Sequence, residues 1–317
     1  MKVVVTGGAG FIGANLCRQL LLTDGVTEVL ALDDLSSGYA ANLAGTEARL
    51  VIGDFVDPDV LDDVVPGAAA IVHLGARPSV PRSLEDPLAS HRANATGTLH
   101  VLEAVRRHGV AHVVVSSSSS VYGHNPTLPK REDLTPMPAS PYAASKLAAE
   151  SYTLSHAACF GFGALVFRFF NVFGPLQAAG HAYAAVVPSF VAAALAGEPV
   201  VVHGDGGQTR DFTYVSSVCE VLAVAVRDRL VGERPVNLAF GGRASLLEVL
   251  AVLEELLGHP IPRTHTETRA GDVRNSQADQ STLRALVPNI EPVGIEEGLR
   301  RTVEWFRASA DGVTLSG

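Results

Sequence analysis

The stretch Thr6-Gly7-Gly8-Ala9-Gly10-Phe11-Ile12-Gly13, set between a run of valines and an amphipathic segment, restricts the possible folds more than any other feature of the chain. It satisfies G-x-G-x-x-G through Gly8, Gly10 and Gly13, and Gly7 adds a shifted G-x-x-G-x-x-G. A turn of residues without Cβ lets the backbone approach a pyrophosphate, whose charge then meets the amino end of the next helix. Asp33 lies 20 residues past Gly13, at the end of the second apolar run. A carboxylate at that distance accepts the ribose hydroxyls of a dinucleotide. It also repels a 2′-phosphate, and Asp34 beside it adds to the repulsion, so the pattern selects NAD over NADP.

The rest of the first half repeats the same alternation. Residues 2–6, 28–33, 49–53, 70–74 and 112–117 read as buried strands, and 11–23, 58–65 and 84–108 carry apolar residues at helical spacing. A helix over 142–160 and a strand over 164–170 follow. Strands that lack polar alternation and are separated by helices predict a parallel sheet covered on both faces. The expected fold is therefore α/β, a Rossmann-type doubly wound sheet. After Asn171, glycine and proline punctuation at Gly174-Pro175, Gly180, Pro188, 197–199 and 204–207 predicts a smaller C-terminal α/β lobe, with helical periodicity returning at 215–226, 246–257 and 295–306. The expected division is a dinucleotide-binding domain over 1–171, to which segments near 212–240 return, and a substrate lobe over 172–317.

With 317 residues, 47% of them hydrophobic and 18% charged, the chain can bury a large core. Its 33 acidic residues outnumber 24 basic ones, for a net charge of −9, which argues against a nucleic-acid partner. The N-terminal apolar run is too short for a signal peptide, and no apolar stretch reaches transmembrane length. Cys17, Cys159 and Cys219 are scattered without CxxC spacing, so neither a metal site nor a disulfide framework is expected. These features predict a soluble cytoplasmic protein with no membrane partner.

Tyr142 and Lys146 stand at i and i+4 of one predicted helix, hence on one face. An ammonium there favours the phenolate and is expected to lower the tyrosine's pKa toward a value useful for proton transfer. The serines from Ser116 to Ser120 follow the fifth strand, whose carboxyl end should open on the same crevice. Gly53-Asp54, after the third strand, could hold an adenine edge.

Together with His73-Leu74-Gly75-Ala76, Asn94, Val121-Tyr122-Gly123, Arg168-Phe169-Phe170-Asn171, the segment 204–215 and Arg269-Ala270-Gly271-Asp272, these pieces resemble the extended short-chain dehydrogenase/reductase family. Within it, the chain is similar to the nucleotide-sugar 4-epimerases and dehydratases, from Gly7 to about Trp305. The resemblance implies that Tyr142 is the base that takes the sugar 4-hydroxyl proton, that Lys146 holds the nicotinamide ribose, and that Ser118 is the catalytic hydroxyl. It implies NAD contacts from Gly7, Gly10, Phe11, Ile12, Gly13, Asp33, Asp34, Ser37 and Gly38. Further ones come from Asp54, Phe55, Leu74, Gly75, Ala76, Asn94, Ser116 and Phe169, besides Tyr142 and Lys146. For a UDP-sugar substrate it implies Arg82, Ser118, Ser119, Ser120, Tyr142, Asn171, Ala185, Val186, Val201, His203, Arg210, Arg269, Asp272 and Ser276. Arg269 would clamp the diphosphate, a task that suits the fork of a guanidinium.

The 4,6-dehydratases of the family carry Asp-Glu where this chain has Ser119 and Ser120, so the resemblance favours a UDP-sugar 4-epimerase. Ser276 matches a gate position that is a bulky tyrosine in strict UDP-glucose epimerases, which leaves room for an N-acetyl group. Residues 175–179 lack the arginine of UDP-glucuronate 4-epimerases, although Arg82 or His181 could meet a carboxylate. Phe212 departs from a usual tyrosine. The expected activity is thus 4-epimerisation of a UDP-GlcNAc or UDP-Glc type substrate with tightly held NAD. UDP-glucuronate 4-epimerase, NDP-sugar dehydratase and a non-catalytic NAD-binding scaffold remain as alternatives. Family members usually pair through two long helices, here 84–108 and 142–160, which implies a homodimer.

Overall fold

The structure, a computed structural model, describes residues 1–180, 184–268 and 274–312. The chain opens with β1 (Lys2–Thr6), α1 (Phe11–Leu21), β2 (Glu28–Asp33), β3 (Arg49–Ile52), α2 (Pro58–Val64) and β4 (Ala70–His73). There follow α3 (Val80–Glu85), α4 (Pro87–His91), α5 (Gly97–His108), β5 (His112–Ser118), α6 (Pro141–Phe160) and β6 (Gly163–Phe169). The second half runs β7 (Asn171–Phe173), α7 (Val186–Ala196), β8 (Val200–His203), β9 (Thr209–Arg210), β10 (Phe212–Tyr214), α8 (Val215–Arg227) and β11 (Val236–Leu238). It ends with β12 (Ala244–Ser245), α9 (Leu246–Leu257), β13 (Arg263–Thr266), α10 (Ser281–Leu286) and α11 (Ile295–Gly312).

Seven strands form one parallel sheet in the order β11-β6-β5-β4-β1-β2-β3. Val3, Val4 and Val5 are fully buried because both faces are covered, which is why β1 has no polar alternation. One face packs α1 and α8 through Leu16, Leu20, Val218 and Leu222. The other packs α2, α5 and α6 through Leu61, Val101, Val105 and Leu154. Strand order reverses between β1 and β4, so the crevice at the carboxyl ends of the strands opens beside that point. A separate core of Phe173, Phe190, Val202, Leu250 and Leu299 holds the second lobe. Among the described residues no helix is long and apolar enough to cross a membrane.

One expected helix is broken. Residues 84–108 do not form a single rod: α3 ends at Glu85, and Asp86 (φ −141°, ψ 83°) accepts a hydrogen bond from Ala89 N at 2.9 Å to cap α4. Pro87 begins α4 and cannot continue α3, since it has no N–H to give to a preceding turn. Arg92–Thr96 then form one widened π turn before α5. That turn carries Asn94, 1% exposed, toward α6.

Candidate active site

The glycine turn closes on itself as the sequence requires. Gly7 has φ +68°, and a Cβ there would meet Gly75 N at 2.9 Å; a Cβ on Gly13 would strike the Gly7 carbonyl oxygen at 2.0 Å. No side chain caps α1 at Gly10, and its first turn has no acidic residue, so the amino end is left for an anion. Asp33 sits 6% exposed at the end of β2, its carboxylate accepting from Ala9 N at 3.0 Å and Leu35 N at 2.9 Å. Burial raises its pKa against the pull of those N–H groups. These residues fit the adenosine and pyrophosphate of a dinucleotide.

Gly7, Asp33, Asp34, Ser37, Asp54, Phe55, Gly75, Ala76 and Arg82 line one open groove of about 550 Å³. That is within the usual range for a ligand site. Arg77 and Arg92 line it too and were not legible beforehand; their ion pairs with Asp86 and Asp54, at 3.8 and 4.0 Å, are surface contacts of small worth. Phe11, Ile12, Leu74 and Phe169 instead pack their side chains on the first core. Gly38 backs Asp33, where a Cβ would lie 2.9 Å from the carboxylate.

At the end of β5, Ser118 lowers the pKa of the Tyr142 hydroxyl, and its own hydroxyl accepts from Ser120 N at 3.1 Å. Ser119 and Ser120 form the following 3-10 turn, and Ser120 Oγ is buried without a partner among the described residues. Lys146, 5% exposed, donates to the Ser116 carbonyl at 2.9 Å. In the protein alone the Tyr142 hydroxyl is not lowered: burial pushes it up, and Ser118 opposes the rise. Burial also holds the Lys146 ammonium down to about 8, with Glu150 working against the fall. Neither Glu150 nor the importance of Arg168 was read from the sequence. Arg168 Nε and Nη2 both donate to the Glu150 carboxylate at 2.9 Å, under Lys146.

A hydrogen-bond chain joins the glycine turn to α6. The Thr98 hydroxyl donates to Asn94 O at 2.6 Å, so His73 Nε2 must be the donor in its 3.0 Å contact with Thr98. His73 Nδ1 then accepts from Thr6 Oγ1 at 2.6 Å, and Thr6 Oγ1 accepts from Gly75 N at 3.1 Å. Burial, helped by the charge of Lys146, pushes His73 down to about 3, so it stays neutral. Asn94 takes Arg77 N at 2.7 Å, and gives to Arg77 O at 3.2 Å and Ser145 Oγ at 2.9 Å. Its amide is therefore committed to the frame. The Ser116 hydroxyl likewise donates to His73 O at 3.2 Å.

The remaining candidates lie in the second lobe. Asn171 opens β7, and Ala185 and Val186 begin α7. Val201 and His203 lie on β8, Val201 half exposed and His203 bonded to Thr266 Oγ1 at 2.9 Å. Arg210 is 9% exposed on β9 and donates to Thr209 O and Arg274 O at 2.8 and 3.3 Å. Ser276, 7% exposed, is tied to β9 by its N–H to Thr209 O at 3.0 Å. Arg269, Asp272 and His181 lie outside the described residues.

A family model, NAD dependent epimerase/dehydratase family, matches residues 3–239. A UDP-glucose 4-epimerase of Mycolicibacterium smegmatis is 38% identical over 97% of this chain and 99% of its own. A UDP-glucuronate 4-epimerase of Thermodesulfobacterium geofontis is 34% identical over 97% of each. Among solved structures, a UDP-N-acetylglucosamine 4-epimerase from Methanobrevibacter ruminantium, in complex with UDP-N-acetylmuramic acid, superimposes with a TM-score of 0.91. It is 35% identical, over 97% of this chain and 98% of that one.

Proposed function

The chain belongs to the NAD-dependent epimerase/dehydratase family, and on that premise we propose that it inverts C4 of a UDP-hexose, of the UDP-GlcNAc or UDP-glucose type. It is an NAD-dependent enzyme of the UDP-sugar 4-epimerase group. NAD supplies the hydride acceptor for the sugar C4 and later the hydride donor. When bound, its adenosine half would be held by the glycine turn and Asp33, and its other ribose by Lys146.

Tyr142, whose pKa Ser118 lowers, takes the proton of the 4-hydroxyl as C4 is oxidised, and Ser118 steadies that oxygen. The 4-keto sugar then turns over within the second lobe, so that hydride comes back to the other face of C4 while Tyr142 returns the proton to the 4-oxygen. Arg210, Asn171 and Arg269 hold the diphosphate meanwhile. The observation that carries the choice of reaction is the 3-10 turn after Ser118. Its leading residues are Ser119 and Ser120, which offer no carboxylate for elimination across C5 and C6. The sugar preference rests on the small side chain of Ser276.

The same reading takes residues 1–171, with 212–240, as the NAD lobe, most of 172–317 as the nucleotide-sugar lobe, and the cytoplasm as the location. A homodimer through α4–α5 and α6 is supported by apolar side chains left on those helices: Leu88 is 81% exposed and Phe160 50%. Sedimentation velocity tests the dimer. Incubation with UDP-GlcNAc, UDP-glucose and UDP-glucuronate, read by proton NMR, tests the function. Axial 4-epimers of the first two are expected; turnover of UDP-glucuronate alone, or elimination products, would overturn the assignment.

A further inference from the structure

Beneath the reacting groups the fold buries an ion pair that the chemistry of the preceding section does not use. Tyr142, Lys146 and Glu150 stand at i, i+4 and i+8 on α6 and so form one stripe against β5 and β6. Glu150 is 2% exposed and Arg168 3%. The Glu150 carboxylate accepts both Arg168 Nε and Nη2, and one of its oxygens also takes the Ser117 hydroxyl. Ser117 and Arg168 face each other in register across β5 and β6. The guanidinium lies over the Tyr122 ring, 4.7 Å from its centre, and its Nη1 has no partner among the described residues.

A buried pair of this kind is weak evidence for stability, because desolvating both charges offsets most of their attraction. Its place is more informative. Two buried cations share the single carboxylate of Glu150: Lys146, one turn before it on α6, and Arg168, paired with it across from β6. Resting on the epimerase reading above, we infer that Glu150 is a positioning residue: by offsetting Arg168 it keeps the Lys146 side chain an ammonium on the Ser116 carbonyl, beneath Tyr142. Removing the carboxylate alone would leave two like charges in a dry site, and the lysine is the one that can shed its proton. The other groups facing Lys146 do not compete. His73, from β4, stays neutral, and on the Arg168 side burial keeps the Tyr122 phenol protonated, pushed up to about 12.

The fraction of Lys146 that is charged sets the alkaline side of the rate profile, since Lys146 sits at about 8. In Glu150→Gln the alkaline limb of kcat should move to lower pH by about one unit, a roughly tenfold loss on that side that acidification recovers. In Arg168→Gln, where the carboxylate faces Lys146 alone, the same limb should move to higher pH. Opposite displacements are not produced by loosened packing, which lowers kcat evenly across pH.

The experiment is the pH profile of kcat for the NAD-loaded wild type and both variants, with melting temperature and NAD content recorded. If one variant does not fold, the direction of the other decides. A limb that stays at the wild-type pH in a folded variant, whatever its overall loss, would overturn the inference. Wild-type enzyme that turns over no UDP-sugar would instead mark failure of the epimerase reading.

Discussion

The proposed reaction asks the Tyr142 oxygen to lose and regain a proton in a place that by itself favours the neutral phenol, because burial raises its pKa. Ser118 is the group that lowers it, and Lys146 stands one turn along the same helix. Tyr142→Phe keeps the ring and its packing but has no proton to move. It should bind NAD and UDP-sugar as wild type does while kcat falls by roughly two to four orders of magnitude, the usual worth of a positioned acid–base group. Stopped-flow turnover beside a fluorescence titration of binding separates the two; wild-type kcat would remove Tyr142 from the chemistry. Ser276 makes a second prediction at this scale. It is 7% exposed beside β9, so a tyrosine there has little free space. Ser276→Tyr should lower kcat/KM for UDP-GlcNAc by about one to two decades through overpacking, and spare UDP-glucose, which has only a hydroxyl at C2. Equal losses on both substrates would remove the residue from the sugar's C2 side.

The phosphate turn and the helices around it fix what the element scale can tolerate. Gly13→Ala places a methyl group against the Gly7 carbonyl, a backbone atom that cannot swing aside. The turn must open, so the variant should lose NAD on gel filtration and melt several degrees lower; retained NAD would show that the turn is more pliant than its geometry. Much of this architecture was legible in the sequence, because a parallel sheet buried on both faces leaves uninterrupted runs such as Val3-Val4-Val5. The break inside 84–108 was not read, since apolar spacing continues through it. Its signal was present in Asp86-Pro87, a capping side chain followed by a first-turn proline. The π turn left no such mark, because its extra residue depends on Asn94 finding Arg77 and Ser145, partners distant in sequence. The pairing of Glu150 with Arg168 is illegible for a related reason: charged residues on a helix and a strand read as solvated until tertiary packing brings them together.

Across the whole molecule, two buried groups should give acid stability opposing slopes. His73 protonates near pH 6.5 in an unfolded chain but only at about 3 when folded. Unfolding between those values takes up a proton, so stability falls as the solution is acidified. Asp211, 1% exposed, is pushed up to about 7 by burial although backbone N–H groups of Ala278, Gly241 and Gly242 pull the other way. Folded protein therefore holds a proton that the unfolded chain releases above about 4, and stability falls as pH rises through that window. Each slope is about 1.4 kcal/mol per pH unit, and between about pH 4 and 6.5 they largely cancel. Urea unfolding of Asp211→Asn should become steeply acid-sensitive there, whereas His73→Gln should lose stability toward neutral pH. Parallel curves for both variants and wild type would refute the pairing. The path of the chain bears on a different question, how such a protein can be taken apart. After Phe169 the chain leaves the sheet for the second lobe and comes back at α8, which packs on α1, and at β11, which pairs with β6. It departs again, returns once more where Leu283 joins the first core, and finishes with Leu299 in the other. Neither lobe is a continuous piece of the gene. A single crossover between relatives cannot exchange one sugar pocket for another while leaving the cofactor half whole, and a fragment ending at residue 171 would bare the face of α1 that α8 covers. New specificity on this scaffold has to arise residue by residue within an undivided chain.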